Sequence, residues 1–385
     1  MPPPSAWTSR NDRPIIIPNE PVVTAPGRVL VAGTGLIGTS VALALREHGT
    51  EVWLSDADEA AARLAADLGA GTVVRDLRDA KGIADIAVLA VPPAAVAAVL
   101  AQAQECAVAD VYTDVASVKE LPVAQARERG CDLRAYVPGH PLAGRERHGP
   151  AAARADLFLG RAWALCPLPE TAADAIEAVT ALAVACGADP VRADPATHDR
   201  WVALVSHAPH VVAAAMAARL APPEVPAGAL ALAGQGLRDV TRIAAGDSEL
   251  WTQILSANAG PVAEVVAAVA EDLAAAARAL AAGGAAAGGA IAGLLGRGRA
   301  GTARIPGKHG GEGRSFTVVQ VVIADRPGEL ARLFDAAGAA GVNIEDVRIE
   351  HSPGLPVGVA ELSVRPDRAG ALLAAMEAGG WPARR

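Results

Sequence analysis

The stretch "VLVAGTGLIGTSVALALREHG", from Val29 to Gly49, constrains the fold of this 385-residue chain more than any other. A run of small apolar residues ends at Gly33, two more glycines follow at Gly35 and Gly38, and an alanine-rich segment runs on to Gly49. Strand, tight turn and helix in that order is the context that gives a Gly-x-Gly-x-x-Gly fingerprint its meaning. The first glycine makes the turn, the second lets the backbone approach a pyrophosphate, and the third lets the helix pack closely on the strand. The helix N-terminus adds oriented N–H groups and a positive dipole end. Gly33, Thr34, Gly35, Leu36, Ile37 and Gly38 therefore form the candidate cofactor loop. Asp56, closing "EVWLSD", is placed to accept hydrogen bonds from ribose hydroxyls and to repel a 2′-phosphate, which favours NAD over NADP. Its alternative is a helix N-cap before "ADEAAARLAADLG", where Asp58 can cap as well.

The pattern downstream extends this start into an α/β domain. Apolar runs at Val29–Ala32, Glu51–Ser55, Ile86–Val91, Val111–Asp114, Ala135–Val137 and Trp163–Cys166 alternate with helical patterns near 36–49, 57–68, 94–105 and 119–130. Such alternation predicts a Rossmann-type, doubly wound parallel sheet over residues 28–190. Residues 1–27 are proline-rich, lack an apolar signal segment and read as a disordered lead-in. Residues 191–295 show no strand pattern and read as an all-helical substrate and dimerisation domain, with breaks at Pro209, at "APPEVP" and at Gly260-Pro261. The glycine-rich segment 296–315 reads as a flexible linker. Residues 316–385 follow a βαββαβ order, which suggests a small α+β sandwich.

Composition excludes some functions. With a net charge of −8 and aromatics at 3%, the chain offers no basic face for nucleic acid. Its four cysteines show no metal-ligand spacing, so no metal is expected and they read as buried small hydrophobes. The uncharged stretch Ala279–Leu295 is too short and glycine-rich for a membrane span. The reading is a soluble cytoplasmic protein.

Three further clusters bear chemistry. In "YTDVASVKE", Ser117 and Lys119 stand at a strand end where doubly wound folds bind ligands; the bland alternative is an N-cap serine and a solvated lysine. In "VPGHPLAGRERHG", His140 sits between Gly139 and Pro141 in what reads as a rigid loop, and a histidine there suits a general base. In "ATHDRWVALVSHAPHVVAAA", His198, His207 and His210 share one helical stretch, and Pro209 is expected to bend it. Arg242, in the apolar "VTRIAA", needs an anionic partner. Asp239, three residues earlier, is one candidate and a substrate carboxylate is the other.

The set "GTGLIGTSVALAL", "DVASVK", "PGHPLAG", "HDRWVALVSHAPH" and "DVTRIA…W", in order from about residue 28 to 265, resembles the prephenate/arogenate dehydrogenase family of tyrosine biosynthesis. The resemblance implies an NAD-dependent oxidative decarboxylation of prephenate or arogenate. It implies that His140 is the base for the 4-hydroxyl, that Ser117 holds that hydroxyl, and that Arg242 pairs with a substrate carboxylate. His210 and Trp251 would line the substrate side-chain end, with His207 nearby. Asp239, His198 and Asp199 would orient the pocket from behind. Ala143 is smaller than the bulky residue that the family often carries in this motif.

The tail, with "DRPGELARLF" and "VNIEDV", resembles an ACT domain, which implies a regulatory module for tyrosine or a related amino acid. Asp325, Gly328, Glu329 and Asn343 are the candidate effector residues, and a purely structural dimerisation module is the alternative. The helical block and the tail both favour a homodimer. Competing functions are a dehydrogenase of 4-amino-4-deoxyprephenate and a non-catalytic regulator that binds NAD and an amino acid. A generic 2-hydroxy-acid dehydrogenase would want a histidine–carboxylate relay and gain nothing from the helical pocket.

Overall fold

A computed structural model describes residues 15–16, 24–144, 148–305, 316–351 and 356–385. The chain divides into two compact units, residues 1–271 and 272–385.

After a two-residue strand β1 (Ile15–Ile16), the first unit builds a six-stranded sheet. Its strands are β2 (Arg28–Ala32), β3 (Glu51–Ser55), β4 (Thr72–Val73), β5 (Ala84–Leu89), β6 (Ala109–Asp114) and β7 (Tyr136–Val137). They lie in the order β4-β3-β2-β5-β6-β7 and all pair in parallel. Side chains alternate across β2: Val29 and Val31 join one core, Leu30 and Ala32 the other. The first core takes Val41 and Leu45 from α1 (Leu36–Glu47) and Val179 and Leu182 from α5 (Ala173–Ala185). The second takes Val96 and Leu100 from α3 (Val96–Glu105) and Val123 and Ala126 from α4 (Glu120–Glu128). Burial on both faces is why these strands read as unbroken apolar runs. The expected doubly wound domain is present.

One expected strand belongs elsewhere. β9 (Ala162–Leu165), the core of the Trp163–Cys166 run, pairs antiparallel with β8 (Gly139–Pro141) and parallel with β10 (Asp189–Arg192), in a second sheet ordered β1-β10-β9-β8. An apolar run states that it is buried and leaves its partner open. His140 therefore lies on an edge strand, opposite Ala164, rather than in a loop. Of the lead-in 1–27, β1 is ordered against β10 and 24–27 are described, while 1–14 and 17–23 lie outside the described residues.

Of the expected helix breaks, the one at "APPEVP" is present, with helix ending at Leu220 and resuming at Ala227, whereas Pro209 and Gly260-Pro261 lie within helix. α6 (Pro195–Val202) is capped by Asp194, whose carboxylate accepts from Thr197 N at 3.0 Å. It runs through a five-residue π turn, Ala203–His207, into α7 (Ala208–Ala217). In the π turn Ala208 N reaches back five residues to Ala203 O. Proline has no N–H to continue the normal ladder, so the helix widens before Pro209 instead of ending. The whole stretch Pro195–Leu220 is long and apolar enough to cross a membrane by length and composition alone. It carries the buried polar residues His198, Asp199 and His207, which serve the site below. α8 (Ala227–Ala231), α9 (Gln235–Thr241), α10 (Ser248–Ala257) and α11 (Ala259–Ala282) follow. Gly260-Pro261 falls in the first turn of α11, where a proline costs no hydrogen bond.

The boundary between the units lies inside α11, not at the expected linker. Residues 296–302 of that linker belong to α12 (Gly284–Thr302), where alanine and arginine sustain a helix that glycine only weakens, and 306–315 lie outside the described residues. The second unit then runs β11 (Thr317–Ala324), α13 (Glu329–Ala339), β12 (Asp346–His351), β13 (Val357–Val364), α14 (Ala369–Ala378) and β14 (Ala383–Arg384). Its sheet, β12-β13-β11-β14, is antiparallel, and Val319, Val321 and Ile323 pack with Leu333 and Leu372 of the two helices. The βαββαβ order holds.

Candidate active site

The strand ends of the first unit open into a cavity of about 1240 Å³. Ala32 and Gly33 after β2, Asp56 after β3, Ala90 after β5 and Ser117 after β6 line it, at the point where the strand order reverses. That crevice is where open α/β sheets take ligands. Two loops make the approach close. Gly33 has φ +101°, and a Cβ there would collide with the Ala90 carbonyl. A Cβ on Gly38 would strike the Gly33 carbonyl, so only glycine lets α1 pack this tightly on the turn. Gly35 faces open space and caps α1 without a side-chain bond, leaving the first-turn N–H groups for a ligand.

Gly33, Gly35, Leu36, Ile37 and Asp56 line the cavity, whereas Thr34 and Gly38 are buried behind it. Thr34 acts on Asp56: its N and Oγ1 donate to Asp56 Oδ2 at 2.5 and 2.8 Å. Asp56 Oδ1 accepts from Asp58 N at 2.9 Å, and Asp58 rather than Asp56 caps α2 (Glu59–Asp67). The carboxylate is thus fixed at the rim. These residues suit a dinucleotide: a tight glycine turn, free helix N–H groups and a pinned carboxylate.

At the other end, His140 lines the cavity and is held from behind. Its Nδ1 lies 2.9 Å from His198 Nε2, and His198 Nδ1 lies 2.8 Å from Asp199 Oδ1. Asp199 also accepts from Lys119 N and Glu120 N at 2.8 and 2.9 Å. The ionised carboxylate requires N–H at His198 Nδ1, so His198 Nε2 accepts from His140 Nδ1. His140 Nε2 is left as a lone-pair acceptor. Burial, with His198 and Lys119 adding positive potential, holds His140 well below the ordinary histidine value. Burial likewise lowers His198, against the pull of Asp199.

The neighbouring imidazole has the opposite sense. Asn258 Nδ2 lies 2.8 Å from Asp199 O and 3.1 Å from His207 Nδ1. An amide N–H there makes His207 Nδ1 an acceptor, so Nε2 carries the hydrogen and His207, which lines the cavity, is a donor. Burial brings its pKa down to about 4. The π turn presents Val205, Ser206 and His207 together to the cavity. His210 stacks on Trp251 with ring centroids 3.6 Å apart, and both line the same wall as Arg242, Gly246 and Asp247.

Some expected positions differ. Lys119 is fully buried, not solvated: its Nζ bonds Asp114 Oδ1 and, at 2.6 Å, Gly139 O, while Tyr136 OH donates to Asp114 Oδ2 at 2.6 Å. It ties the end of β6 to the residue before His140. Asp239 is exposed, accepts from Gln235 at 2.7 Å and does not line the cavity; Arg242 does, from a largely exposed position. His198 sits behind His140 rather than in the cavity wall. The histidine–carboxylate relay used to set aside other dehydrogenases is present, with one extra imidazole. Sequence reasoning also passed over Asn258, whose only signal is a polar residue between two apolar helices.

In the second unit, Glu329 is buried and occupied: Trp381 Nε1 donates to it at 2.7 Å, and Arg326 and Arg332 pair with it at 2.8 and 3.1 Å. It is a packing anchor, not an open ligand group. Asn343 donates to Glu345 at 2.9 Å, and Asp325 N bonds Pro356 O. Gly328 opens α13 in the left-handed conformation, φ +83°.

Comparison with known proteins places this architecture. Residues 41–191 match the family model "Prephenate dehydrogenase, nucleotide-binding domain", and residues 194–286 match "Prephenate dehydrogenase, dimerization domain". The chain is 40% identical over 362 residues to the Streptomyces niveus protein named "Probable prephenate dehydrogenase NovF", covering 92% of this chain and 98% of that one. It is 33% identical to the prephenate dehydrogenase of Bacillus subtilis over 60% of this chain and 64% of the relative. The crystal structure of A. aeolicus prephenate dehydrogenase in complex with hydroxyphenyl propionate and NAD+ superposes with a TM-score of 0.62 at 24% identity, over 71% of this chain and 96% of that one. Fold, motif order and these similarities agree: the chain belongs to the prephenate dehydrogenase family.

Proposed function

We propose that this enzyme oxidises and decarboxylates prephenate, with NAD as hydride acceptor, to give 4-hydroxyphenylpyruvate and CO2. The observation that carries the reading is the Asp199–His198–His140 chain, which leaves one imidazole acceptor, Nε2 of His140, beside the dinucleotide crevice. When bound, the nicotinamide supplies the acceptor for the C4 hydride. His140 Nε2 takes the proton of the 4-hydroxyl as C4 becomes carbonyl-like. The bond from C1 to the ring carboxylate then breaks, its electron pair aromatises the ring, and His140 returns the proton to the phenolate oxygen. No net proton is gained or lost.

Ser117, at the cavity wall after β6, holds the reacting hydroxyl. Arg242 pairs with a substrate carboxylate, and the His207 N–H supplies a second donor. His210 and Trp251 form a flat apolar wall for the side-chain end. Aromatisation is strongly downhill, so the protein's task is to position C4 and move one proton. The protein acts in the cytoplasm as a homodimer through its helical block, and the C-terminal unit is an ACT-like module for tyrosine or a related amino acid. The βαββαβ order and the Gly328 turn opening α13 support that module.

The test offers prephenate, arogenate and 4-amino-4-deoxyprephenate with NAD, following reduced cofactor and CO2 together, with and without tyrosine. One-to-one formation of both products from prephenate is expected. Turnover of the amino analogue alone would replace this reading, and turnover of arogenate alone would move the substrate to the amino acid.

A further inference from the structure

The carboxyl ends of β3 and β4 carry opposite charges in register. The two strands pair Leu54 with Val73, and Val74 N bonds Leu54 O at 2.8 Å. Asp56 and Arg75 each follow their paired residue by two positions, and both line the cavity. Adjacent strands lie about 4.8 Å apart, so the two side chains leave neighbouring points of the same rim.

Their states differ. Both oxygens of Asp56 already accept protein donors, which fixes the carboxylate in place. Arg78, three residues beyond Arg75, is neutralised by Asp76, with Nε to Oδ1 at 3.0 Å and Nη2 to Oδ2 at 2.5 Å. Arg75 is exposed, and among the described residues nothing pairs with it. An unpaired guanidinium beside a ribose-binding carboxylate is the donor that a sugar phosphate recognises, because its planar fork matches phosphate oxygens.

We infer that Arg75 is a specificity residue for the adenosine end of the dinucleotide: it attracts a ribose 2′-phosphate while Asp56 opposes one. The discrimination between NAD and NADP is then set by this pair of residues, and removing the carboxylate exposes an NADP site that is already built. This rests on the dinucleotide reading of the crevice and leaves the choice of substrate aside.

Binding of NADH and NADPH to the purified full chain, read by reduced-nicotinamide fluorescence, tests it without turnover. Competition by 5′-AMP and 2′,5′-ADP isolates the phosphate. In R75Q, affinity for NADPH and 2′,5′-ADP is expected to fall about 10-fold, the scale of one hydrogen bond to a charged group. NADH and 5′-AMP should stay within about twofold. D56N should gain NADPH affinity, D56N/R75Q should lose that gain, and R75K should keep part of it. An equal loss for phosphorylated and unphosphorylated ligands in R75Q would overturn the inference, as would NADPH binding to D56N that ignores Arg75. Absence of NADH binding to the unaltered chain would instead sink the dinucleotide reading itself.

Discussion

His140 Nδ1 and His198 Nε2 lie 2.9 Å apart, and that one contact decides which nitrogen of His140 is left as an acceptor. Asp199 fixes the hydrogen on His198, His198 fixes it on His140, and the acceptor is left toward the cavity. The sense of the whole chain is set by a single buried carboxylate.

His140→Asn removes the basic nitrogen and should lower kcat with prephenate by ~10²–10⁴-fold, the usual scale for loss of a general base. NADH affinity should hold, since the cofactor loop lies on other strands. Steady-state kinetics beside a cofactor titration checks both, and unchanged turnover would remove His140 from the chemistry.

Asp199→Asn tests the relay rather than the base. In either orientation the amide NH2 faces a backbone N–H, of Lys119 or of Glu120, that has lost its acceptor; turned toward His198 Nδ1 it also reverses both imidazoles and puts a hydrogen on the nitrogen of His140 that should accept one. Turnover should fall by ~10²–10⁴-fold, as a wrong tautomer costs in other triads, with the Michaelis constant little changed. In the unaltered enzyme the acid limb of kcat/KM should lie below the ordinary histidine value of about 6.5, because burial and neighbouring positive charge keep His140 neutral as the pH falls.

Arg242→Gln should act mainly on binding. Loss of a charge-assisted contact to a carboxylate is worth roughly 1.5–3 kcal/mol, so the Michaelis constant for prephenate should rise by about 10- to 100-fold. A fall in turnover alone, at an unchanged Michaelis constant, would contradict the assigned role.

Lys119→Met leaves Asp114 buried without its cation and frees the Gly139 carbonyl. Breaking one side of a buried pair costs about 3–5 kcal/mol, so thermal unfolding should shift down by several degrees. A variant as stable as the parent would show that the ion pair contributes no net stability.

Acid should destabilise the fold through its buried imidazoles. His207 moves from 6.5 in the free side chain to about 4 in the folded protein. Between those values the unfolded chain takes up a proton that the folded chain refuses, so stability falls as the pH falls, by up to about 1.4 kcal/mol per pH unit from this group. His140 and His198 act in the same direction. Urea unfolding at pH 7 and pH 5 reads the effect, and equal stability at both would contradict it.

Local signals carried far in this chain because each was enforced by neighbours in sequence. Glycine spacing after an apolar run specified the turn at Gly33 and the helix behind it, and alternation of apolar runs with alanine-rich segments specified the doubly wound sheet. Asp56 was legible because it ends the next strand, and the βαββαβ tail because its patterns are short and regular. What stayed hidden depends on partners far away in the chain. Asp199 and Lys119 meet across the helix-to-sheet junction, so neither the relay nor the burial of Lys119 has a local mark. Val205, Ser206 and His207 line the cavity from the wide turn before Pro209, and Trp163 joined a second sheet because β8 reverses direction beside it. Neighbours in sequence were enough to fix the glycine turn, the alternating strands and helices around it and the order of elements in the C-terminal unit. The tertiary structure alone decided which nitrogen of each imidazole faces the cavity, since a tautomer is chosen by the donor or acceptor that folding places against it.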